Sequence, residues 1–341
     1  MNILAIESSC DETAAAVVSD GITVLSSVIS SSTLLHRRFG GILPELAARK
    51  QLDYMLPVIT QTLSQAFPDV ASQGQALQHI DAIAVTVGPG LIGSLLVGVE
   101  AAKTLAYVTN KPLIPVNHVH AHIFAAIIGH DVHFPAIALV VSGGHTELFL
   151  MKNEREIRWI SGTIDDAAGE AFDKTARLLG FENQGGVAIE KAAQRFTIND
   201  SRFTIKLPRP LLHDKTLNFS FSGLKTAVHR EWEKQAKIPE LIPTFAHEIQ
   251  EAITDVLVAK TMQAADQFQT SSILVAGGVA ANLRLREKFQ EKLGTTATTV
   301  YYPPIELCTD NAVTIGSAAF FLGEKTVWDA VTAQPNLSVD K

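Results

Sequence analysis

The sequence predicts a duplicated α/β fold built from two domains, and three observations support this prediction. The chain has 341 residues, which exceeds the usual length of one domain. A strand–turn–strand pattern occurs over residues 3–18 and again over residues 137–150. Long helical segments, such as 44–67 and 242–268, are interspersed with the predicted strands. A repeat with a period of about 130 residues indicates a duplicated domain, not a solenoid.

Composition excludes several classes of protein. The chain is 47% hydrophobic and 18% charged, which is incompatible with a disordered chain. Its two cysteines, Cys10 and Cys308, cannot build a disulfide framework or a zinc knuckle, so a cytoplasmic location is expected. The net charge of −7 means that any nucleic-acid contact must come from a local basic patch. The N-terminus shows no export signal, and the uncharged stretch 82–99 is interrupted by Gly88-Pro89-Gly90, so no membrane span is expected.

Each half of the chain carries two turns that could bind phosphate. The strand–turn–strand repeats turn at residues 8–13 and 142–146, which are rich in small hydroxyl residues and glycine. Two further strands, 81–87 and 272–275, run into glycine-rich turns before a helix. Backbone amides in such turns hold phosphate oxygens, although any single one could be ordinary turn chemistry. Four of them in duplicated order favour a nucleotide held between two related domains, a plan similar to that of actin, sugar kinases and heat-shock ATPases.

A pair of histidines is a candidate metal site. His118 and His122 are four residues apart, so on a helix they share one face, at a spacing that suits zinc or another transition metal. Histidines buried in the core are the alternative, and His120 points elsewhere. Zinc proteases need Glu directly after the first His, whereas Val119 stands here, which disfavours a metalloprotease.

Eight segments together closely resemble the bacterial TsaD family, also called Gcp or YgjD, over about residues 1–325. They are residues 6–13, 88–91, 118–122, 142–146, 165–174, 219–226, 276–282 and 308–311. The resemblance implies the actin/sugar-kinase/heat-shock-ATPase-like (ASKHA) fold with its active site in the interdomain cleft. We expect domains at 1–133 and 134–325 and a tail at 326–341. A last helix at about 311–325 could pack back on the first domain.

The resemblance also implies an activity. The expected enzyme is an acyltransferase that moves the threonylcarbamoyl group from threonylcarbamoyl adenylate to N6 of the adenosine 3′ of the anticodon. Its acceptors would be tRNAs reading codons that begin with A, and its product N6-threonylcarbamoyladenosine (t6A). An ATP-dependent sugar or acyl kinase of the same superfold is the alternative, but it gives no reason for a histidine pair with Asp310. The older peptidase label is disfavoured.

The resemblance to this family also implies which residues form the site. His118, His122 and Asp310 would bind one divalent metal ion per subunit, usually Fe²⁺, with Zn²⁺ as the alternative. Without the resemblance, Asp310 or Asn311 would be interpreted as the N-cap of the following helix. Asp11 and Glu12 are the catalytic candidates, as proton acceptors or as groups that position threonine or metal-bound water. Gln184 stands where the family often has Pro, which loosens the following loop slightly. The adenylate pocket would comprise Val140, Val141, Ser142, Gly143, Gly144, Asp173, Gly186, Glu190 and Asn282.

Partners are expected from charge, from an apolar stripe and from the resemblance. Two segments are locally basic and could either contact tRNA phosphates or simply be exposed to solvent. The first is 36–50, which contains Arg37, Arg38, Arg49 and Lys50. The second is 201–225, which contains Arg202, Lys206, Arg209, Lys215 and Lys225. The resemblance implies a TsaB-like paralogue and a TsaE-like ATPase. We expect a helix over 44–63 with a kink at Pro57. One face of this helix carries an apolar stripe that could pack in the core or against the paralogue, and Met55 is the position at which to test the second alternative. The stripe consists of Leu46, Leu52, Met55, Leu56, Ile59 and Leu63.

Overall fold

The computed structural model describes residues 1–32, 42–182, 184–196, 205–294 and 298–340. The chain forms two compact units. The first comprises Met1–Asp131, Glu154–Glu156 and Pro303–Lys341, and the second comprises Val132–Asn153 and Ile157–Tyr302.

The first unit is a five-stranded sheet with helices. Its strands lie in the order β3-β2-β1-β4-β5, with β1 antiparallel to β2 and parallel to β4. The strands are β1 (Asn2–Glu7), β2 (Glu12–Ser19), β3 (Thr23–Ser31), β4 (Ala82–Gly88) and β5 (Leu113–Asn117). The helices are α1 (Pro44–Ala66), a single turn at Gln73–Ala76, α2 (Ile92–Thr109) and α3 (His118–Ala125).

The second unit repeats this topology. Its sheet has the order β8-β7-β6-β9-β10, with β6 antiparallel to β7 and parallel to β9. The strands are β6 (Ala136–Val141), β7 (Thr146–Asn153), β8 (Glu156–Gly162), β9 (Ser272–Ala276) and β10 (Thr299–Tyr301). The helices are α4 (Ala168–Leu178), α5 (Gly185–Ala193), α6 (Ser222–Lys234), α7 (Ile242–Phe268) and α8 (Leu283–Leu293). The same strand order in both units confirms the predicted duplication.

The last helix, α9 (Ala312–Phe321), belongs to the first unit and packs on β1, β2 and α3. Its sequence is almost entirely apolar, and eight of its ten residues are buried. The central strands show the same character, since β4 is buried at every position. Strands buried on both faces are typical of the parallel core of an α/β sheet.

Within the described residues, one helix is long and apolar enough to cross a membrane, namely α2. A helix inside a protein core passes the same test, and α2 packs on α1 and β4. Length and composition are therefore weak evidence for a span here.

Helix α1 divides its apolar stripe between the core and the surface. The helix is a single element that includes Pro57. Met55 is 3% exposed and lies in the core of the first unit with Ile59 and Leu63, whereas Leu52 and Leu56 are 66% and 69% exposed. Met55 is therefore the wrong position at which to test a surface contact, because a charge there would be buried and would disrupt the fold.

Asp165 connects two of the quoted sequence motifs. Its Oδ1 accepts hydrogen bonds from the backbone N–H groups of Phe221 and Ser222, at 2.7 and 3.2 Å, where α6 begins. Its Oδ2 accepts from the hydroxyls of Ser220 and Ser222, at 2.5 and 2.7 Å. Burial raises the pKa of Asp165, but these hydrogen bonds outweigh it, so the pKa lies below the ordinary value. The carboxylate thus caps α6 from a distant part of the chain.

Asp165→Ala should lower the free energy of unfolding by about 0.5–2 kcal/mol, the usual cost of losing a cap. Because the folded-state pKa is lowered, this contribution is complete at neutral pH and is lost as the pH falls through that lowered value. Urea unfolding of both proteins across acidic pH measures it. Equal stability at neutral pH would contradict the capping role.

Candidate functional site

Helix α3 carries both histidines of the predicted metal site. It starts directly after β5, and the Oδ1 of Asn117 caps it by accepting from the N–H of Val119 at 2.9 Å. His118 and His122 are buried, and their ring centroids are 4.6 Å apart. His120 lies apart from them, with Nε2 2.9 Å from the carbonyl oxygen of Val339. The single helical turn between His118 and His122 therefore places both rings side by side.

Asp310 completes a three-residue group. Asn311, not Asp310, caps α9, since its Oδ1 accepts from the N–H of Thr314 at 3.1 Å. The Oδ1 of Asp310 lies 3.6 Å from Nε2 of His118 and 3.5 Å from Nε2 of His122. One ligand atom from each of the three residues lies within 4.8 Å of the others. Ligand atoms about 2 Å from one ion lie about 3–4 Å apart, and the two distances to Asp310 are of this size, so the three residues suit a divalent transition metal.

Glu7 supports this group, and the sequence analysis did not select it as a site residue. It is 1% exposed, and its Oε2 lies 3.2 Å from Nδ1 of His118. The carboxylate also accepts from the Ser9 N–H and the Thr86 hydroxyl, both at 2.5 Å. When Nδ1 donates to Glu7, the Nε2 of a neutral imidazole is left to bind a metal. An acidic residue at the end of an apolar strand was the signal in the sequence.

The charges of this group depend on one another. Burial raises the pKa of Glu7, but the His118 imidazole and the hydrogen bonds from Ser9 and Thr86 outweigh it and hold the pKa at about 2. Burial lowers the pKa of His118, but Glu7 and Asp310 raise it to about 9. Burial raises the pKa of Asp310 to about 6 against the opposing effect of His118. Two carboxylates therefore favour a positive charge at His118.

The loop after β1 brings Asp11 and Glu12 into the same electrostatic environment. Burial, the hydrogen bond with Asp11 and the charges of Asp11 and Asp310 raise the pKa of Glu12 to about 9. Burial and the same carboxylates raise the pKa of the Cys10 thiol well above its usual range. Cys10 is therefore a thiol, not a nucleophilic thiolate, at neutral pH.

In the second unit, several of the predicted adenylate residues lie at or after the carboxyl ends of β6 and β9. Val140 and Val141 end β6, and the turn Ser142–Gly144 follows. The Ser142 carbonyl accepts from the N–H of Gly169 at 3.1 Å, which brings α4 to this turn. A Cβ on Gly277 would lie 2.5 Å from the Val141 carbonyl oxygen, so only glycine allows this approach of the turn after β9.

Three polar members of the predicted pocket hold neighbouring backbone. Asp173 on α4 accepts from the N–H of Gly185 at 2.9 Å, and burial raises its pKa. Glu190 on α5 accepts from the N–H of Leu283 at 2.7 Å. Asn282 caps α8, with its Oδ1 accepting from the Leu285 N–H at 3.0 Å. These contacts link α4, α5 and α8 beside the two turns.

Four glycines leave open space at these turns. A Cβ added at Gly143, Gly144, Gly186 or Gly278 would meet no atom of the described residues within 4 Å. Backbone amides without a side chain in front of them can approach phosphate or sugar oxygens closely. The turns of the second unit therefore present backbone that no neighbouring side chain covers at these four glycines. The three candidate metal ligands all belong to the first unit.

Several predicted tRNA-contacting side chains are already paired within the chain. Arg49 pairs with Glu45 at 2.7 Å, and Lys50 pairs with Asp53 at 3.1 Å. Arg209 forms ion pairs with Glu248 and Asp255. Lys206, Lys215 and Lys225 are exposed. Arg37, Arg38 and Arg202 lie outside the described residues.

Purified protein should bind one divalent ion that His118→Ala or His122→Ala abolishes, because each substitution removes a ligand. His120→Ala is the matched control on the same helix and should retain the ion. Glu7→Gln should weaken metal affinity about 10–100-fold, the usual effect of removing the carboxylate behind a ligating imidazole. Elemental analysis and metal titration measure these effects. Equal metal content in the wild type and the double histidine variant would contradict the site.

Comparison with known proteins places the chain in a family. A family profile described as "TsaD: tRNA N6-adenosine threonylcarbamoyltransferase" matches residues 23–317. The protein named tRNA N6-adenosine threonylcarbamoyltransferase from Persephonella marina is 47% identical over 328 residues, covering 95% of this chain and 90% of that protein. The protein of that name from Listeria monocytogenes is 44% identical over 345 residues, covering 99% and 96%.

Similarity to solved structures is evidence for the fold only. Component A of (R)-2-hydroxyglutaryl-CoA dehydratase from Acidaminococcus fermentans aligns with a TM-score of 0.53 at 14% identity, over 94% of this chain and 98% of that one. Full-length HypF, in a phosphate- and nucleotide-bound form, aligns with a TM-score of 0.60 at 14% identity, over 94% of this chain and 46% of that one. The predicted ASKHA fold is confirmed. The chain belongs to the tRNA N6-adenosine threonylcarbamoyltransferase family and is a transferase.

Proposed function

We propose that this chain transfers the threonylcarbamoyl group of threonylcarbamoyl adenylate to N6 of the adenosine 3′ of the anticodon, in tRNAs that read codons beginning with A. Family membership supports the t6A product. The observation that carries the proposal against a sugar or acyl kinase of the same fold is the group His118, His122 and Asp310. A kinase would use the glycine turns for ATP but has no need of three such ligands on its first unit.

The proposed reaction needs few groups from the protein. The N6 amine attacks the carbamoyl carbon, a C–N bond forms, the bond to the phosphate oxygen breaks and AMP leaves with its charge. Amides of the turn Ser142–Gly144 hold the phosphate and offset that charge. Asp173 and Glu190 accept hydrogen bonds from sugar hydroxyls. Asp11 accepts the proton that the amine loses, because the raised pKa of Glu12 keeps that carboxyl protonated at neutral pH.

We propose Fe²⁺ as the native ion, with Zn²⁺ as the alternative. Two imidazoles and one carboxylate suit either ion and leave coordination positions open. When bound, the ion supplies a Lewis acid that polarises a substrate oxygen. The proposed setting is the cytoplasm, and the proposed partners are tRNA, a TsaB-like paralogue and a TsaE-like ATPase.

Transfer of labelled threonine to tRNA tests the function. The reaction contains ATP, bicarbonate, an adenylate-forming enzyme, this chain and its two partner proteins. Label should enter a tRNA that reads a codon beginning with A and should not enter one that reads codons beginning with another base. Absence of label from both tRNAs, with sugar-dependent release of ADP by the chain alone, would favour the kinase instead.

Asp173→Ala should weaken the binding of a non-hydrolysable adenylate analogue by about 1–3 kcal/mol, the cost of losing a charged hydrogen-bond partner. Glu170→Gln is the matched control, because Glu170 lies on the same helix and pairs with Lys174. Isothermal titration calorimetry measures both affinities, with circular dichroism to check folding. Unchanged affinity in Asp173→Ala would remove this residue from the pocket.

The surface proposed for the paralogue is an apolar groove between α1 and α2. It is lined by Leu52, Leu56, Leu96, Val97, Ala101 and Leu105, among others. Leu52, Leu56 and Leu96 are exposed on these two helices. Apolar side chains grouped in this way fit the apolar face of helices from a partner.

Leu56→Asp should abolish pairing with the paralogue while leaving the fold intact, since the side chain is exposed and the new charge stays solvated. Gln61→Asp is the matched control, because Gln61 is exposed on α1 and does not line the groove. Sedimentation of mixtures measures pairing, and circular dichroism checks the fold. Pairing unchanged in Leu56→Asp would contradict this location.

A further inference from the structure

The loop that carries Asp11 and Glu12 is held by one buried side chain from each helix of the apolar groove. Gln51 of α1 donates from Nε2 to the carbonyl oxygens of Ser8, Cys10 and Glu12, at 3.3, 3.0 and 3.1 Å. Ser94 of α2 donates from Oγ to the Cys10 carbonyl at 2.9 Å. The Ser8 hydroxyl in turn donates to the Ser94 carbonyl at 2.9 Å.

The remaining carbonyls of this loop are also occupied. Ser9 accepts from the N–H of Leu91 at 2.8 Å. Asp11 accepts from the N–H and the hydroxyl of Ser32, at 3.1 and 2.9 Å. Each carbonyl from Ser8 to Glu12 therefore has a donor within this unit. The backbone of the loop is fixed from outside the loop, and Gln51 alone accounts for three of these contacts.

Gln51 is poorly suited to a role in core packing. It is fully buried, and its Oε1 finds no hydrogen-bond partner among the described residues. Rotating the amide would place that oxygen against three carbonyl oxygens, so the contacts determine which atom faces the loop. A buried polar atom without a partner is unfavourable, and an apolar side chain of the same size would avoid it. The amide is explained by the loop that it holds.

Helix α2 and the turn before it also lie very close to the loop. A Cβ on Gly98 would lie 2.2 Å from the Ser8 hydroxyl oxygen, and a Cβ on Gly90 would lie 2.6 Å from the Ser9 carbonyl oxygen. Leu52 follows Gln51 directly and lines the groove, and Leu96 lies two residues after Ser94. Both donors therefore lie on the helices that line the groove.

We propose that Gln51 and Ser94 are positioning residues for threonylcarbamoyl transfer, holding the Ser8–Glu12 backbone so that Asp11 and Glu12 face the substrate. This inference rests on the proposed function of that loop. It also connects the groove with the loop, because the same two helices form the groove and supply the donors.

The test compares Gln51→Met and Ser94→Ala with Thr62→Val. Methionine has nearly the length of glutamine but cannot donate a hydrogen bond. Thr62 is the matched control, because it is buried on the same helix and donates to the carbonyls of Ala15 and Val58, away from the loop. Gln51→Met should lower kcat about tenfold or more, because a displaced loop misaligns Asp11 and Glu12 with the reacting atoms, with KM for tRNA within about twofold of the wild type.

A second readout does not depend on catalysis. Hydrogen exchange followed by mass spectrometry should show faster exchange of the peptide containing residues 8–12 in Gln51→Met and Ser94→Ala, and not in Thr62→Val. If Gln51→Met fails to fold, Ser94→Ala carries the test with the same expected changes.

The outcomes separate the two proposals. Wild-type kcat and unchanged exchange of the loop in both variants would overturn the positioning role. An equal loss of kcat in Thr62→Val would also overturn it, because the effect would then be general loss of stability. A wild-type protein that transfers no label, but whose loop still loosens in Gln51→Met, would overturn the proposed function and support the loop contacts.

Discussion

The buried carboxylate of Glu7 is the interaction on which the first unit depends. A carboxylate 1% exposed is tolerated only when hydrogen bonds and opposite charge compensate for the water that it has lost. The Ser9 N–H, the Thr86 hydroxyl and the His118 ring supply that compensation. These partners come from the turn after β1, from β4 and from α3. One charge at the end of β1 therefore sets the positions of three elements and the orientation of one candidate metal ligand.

The duplicated sheets use one topology to build two different surfaces. After β1 the turn bears Asp11 and Glu12, and its carbonyls are taken by Gln51, Ser94, Leu91 and Ser32. After β6 the turn bears Gly143 and Gly144, with open space in front of each. The first surface concentrates negative charge and suits a cation. The second exposes backbone amides and suits an anion.

The apolar groove and the loop after β1 depend on the same two helices. Helix α1 presents Leu52 and Leu56 to solvent, and its buried face carries Gln51 and Met55. The residue that holds the site loop thus directly precedes one that lines the groove. The two helices that form the proposed partner surface are therefore the ones that supply Gln51 and Ser94 to the loop.

The sequence by itself determined the fold class, the family and those contacts that depend on local spacing. One helical turn separates His118 from His122 whatever surrounds them, and the repeated strand patterns require equivalent sheets. Tertiary structure decided the contacts between residues far apart in the chain. It turned Asp310 toward the histidines, which leaves the local cap of α9 to Asn311, and it buried Met55 while leaving Leu56 exposed. It also gave Glu7 and Gln51 their roles, because the burial of a polar side chain and the identity of its partners depend on how distant segments pack, and helical or strand periodicity carries no information about that packing.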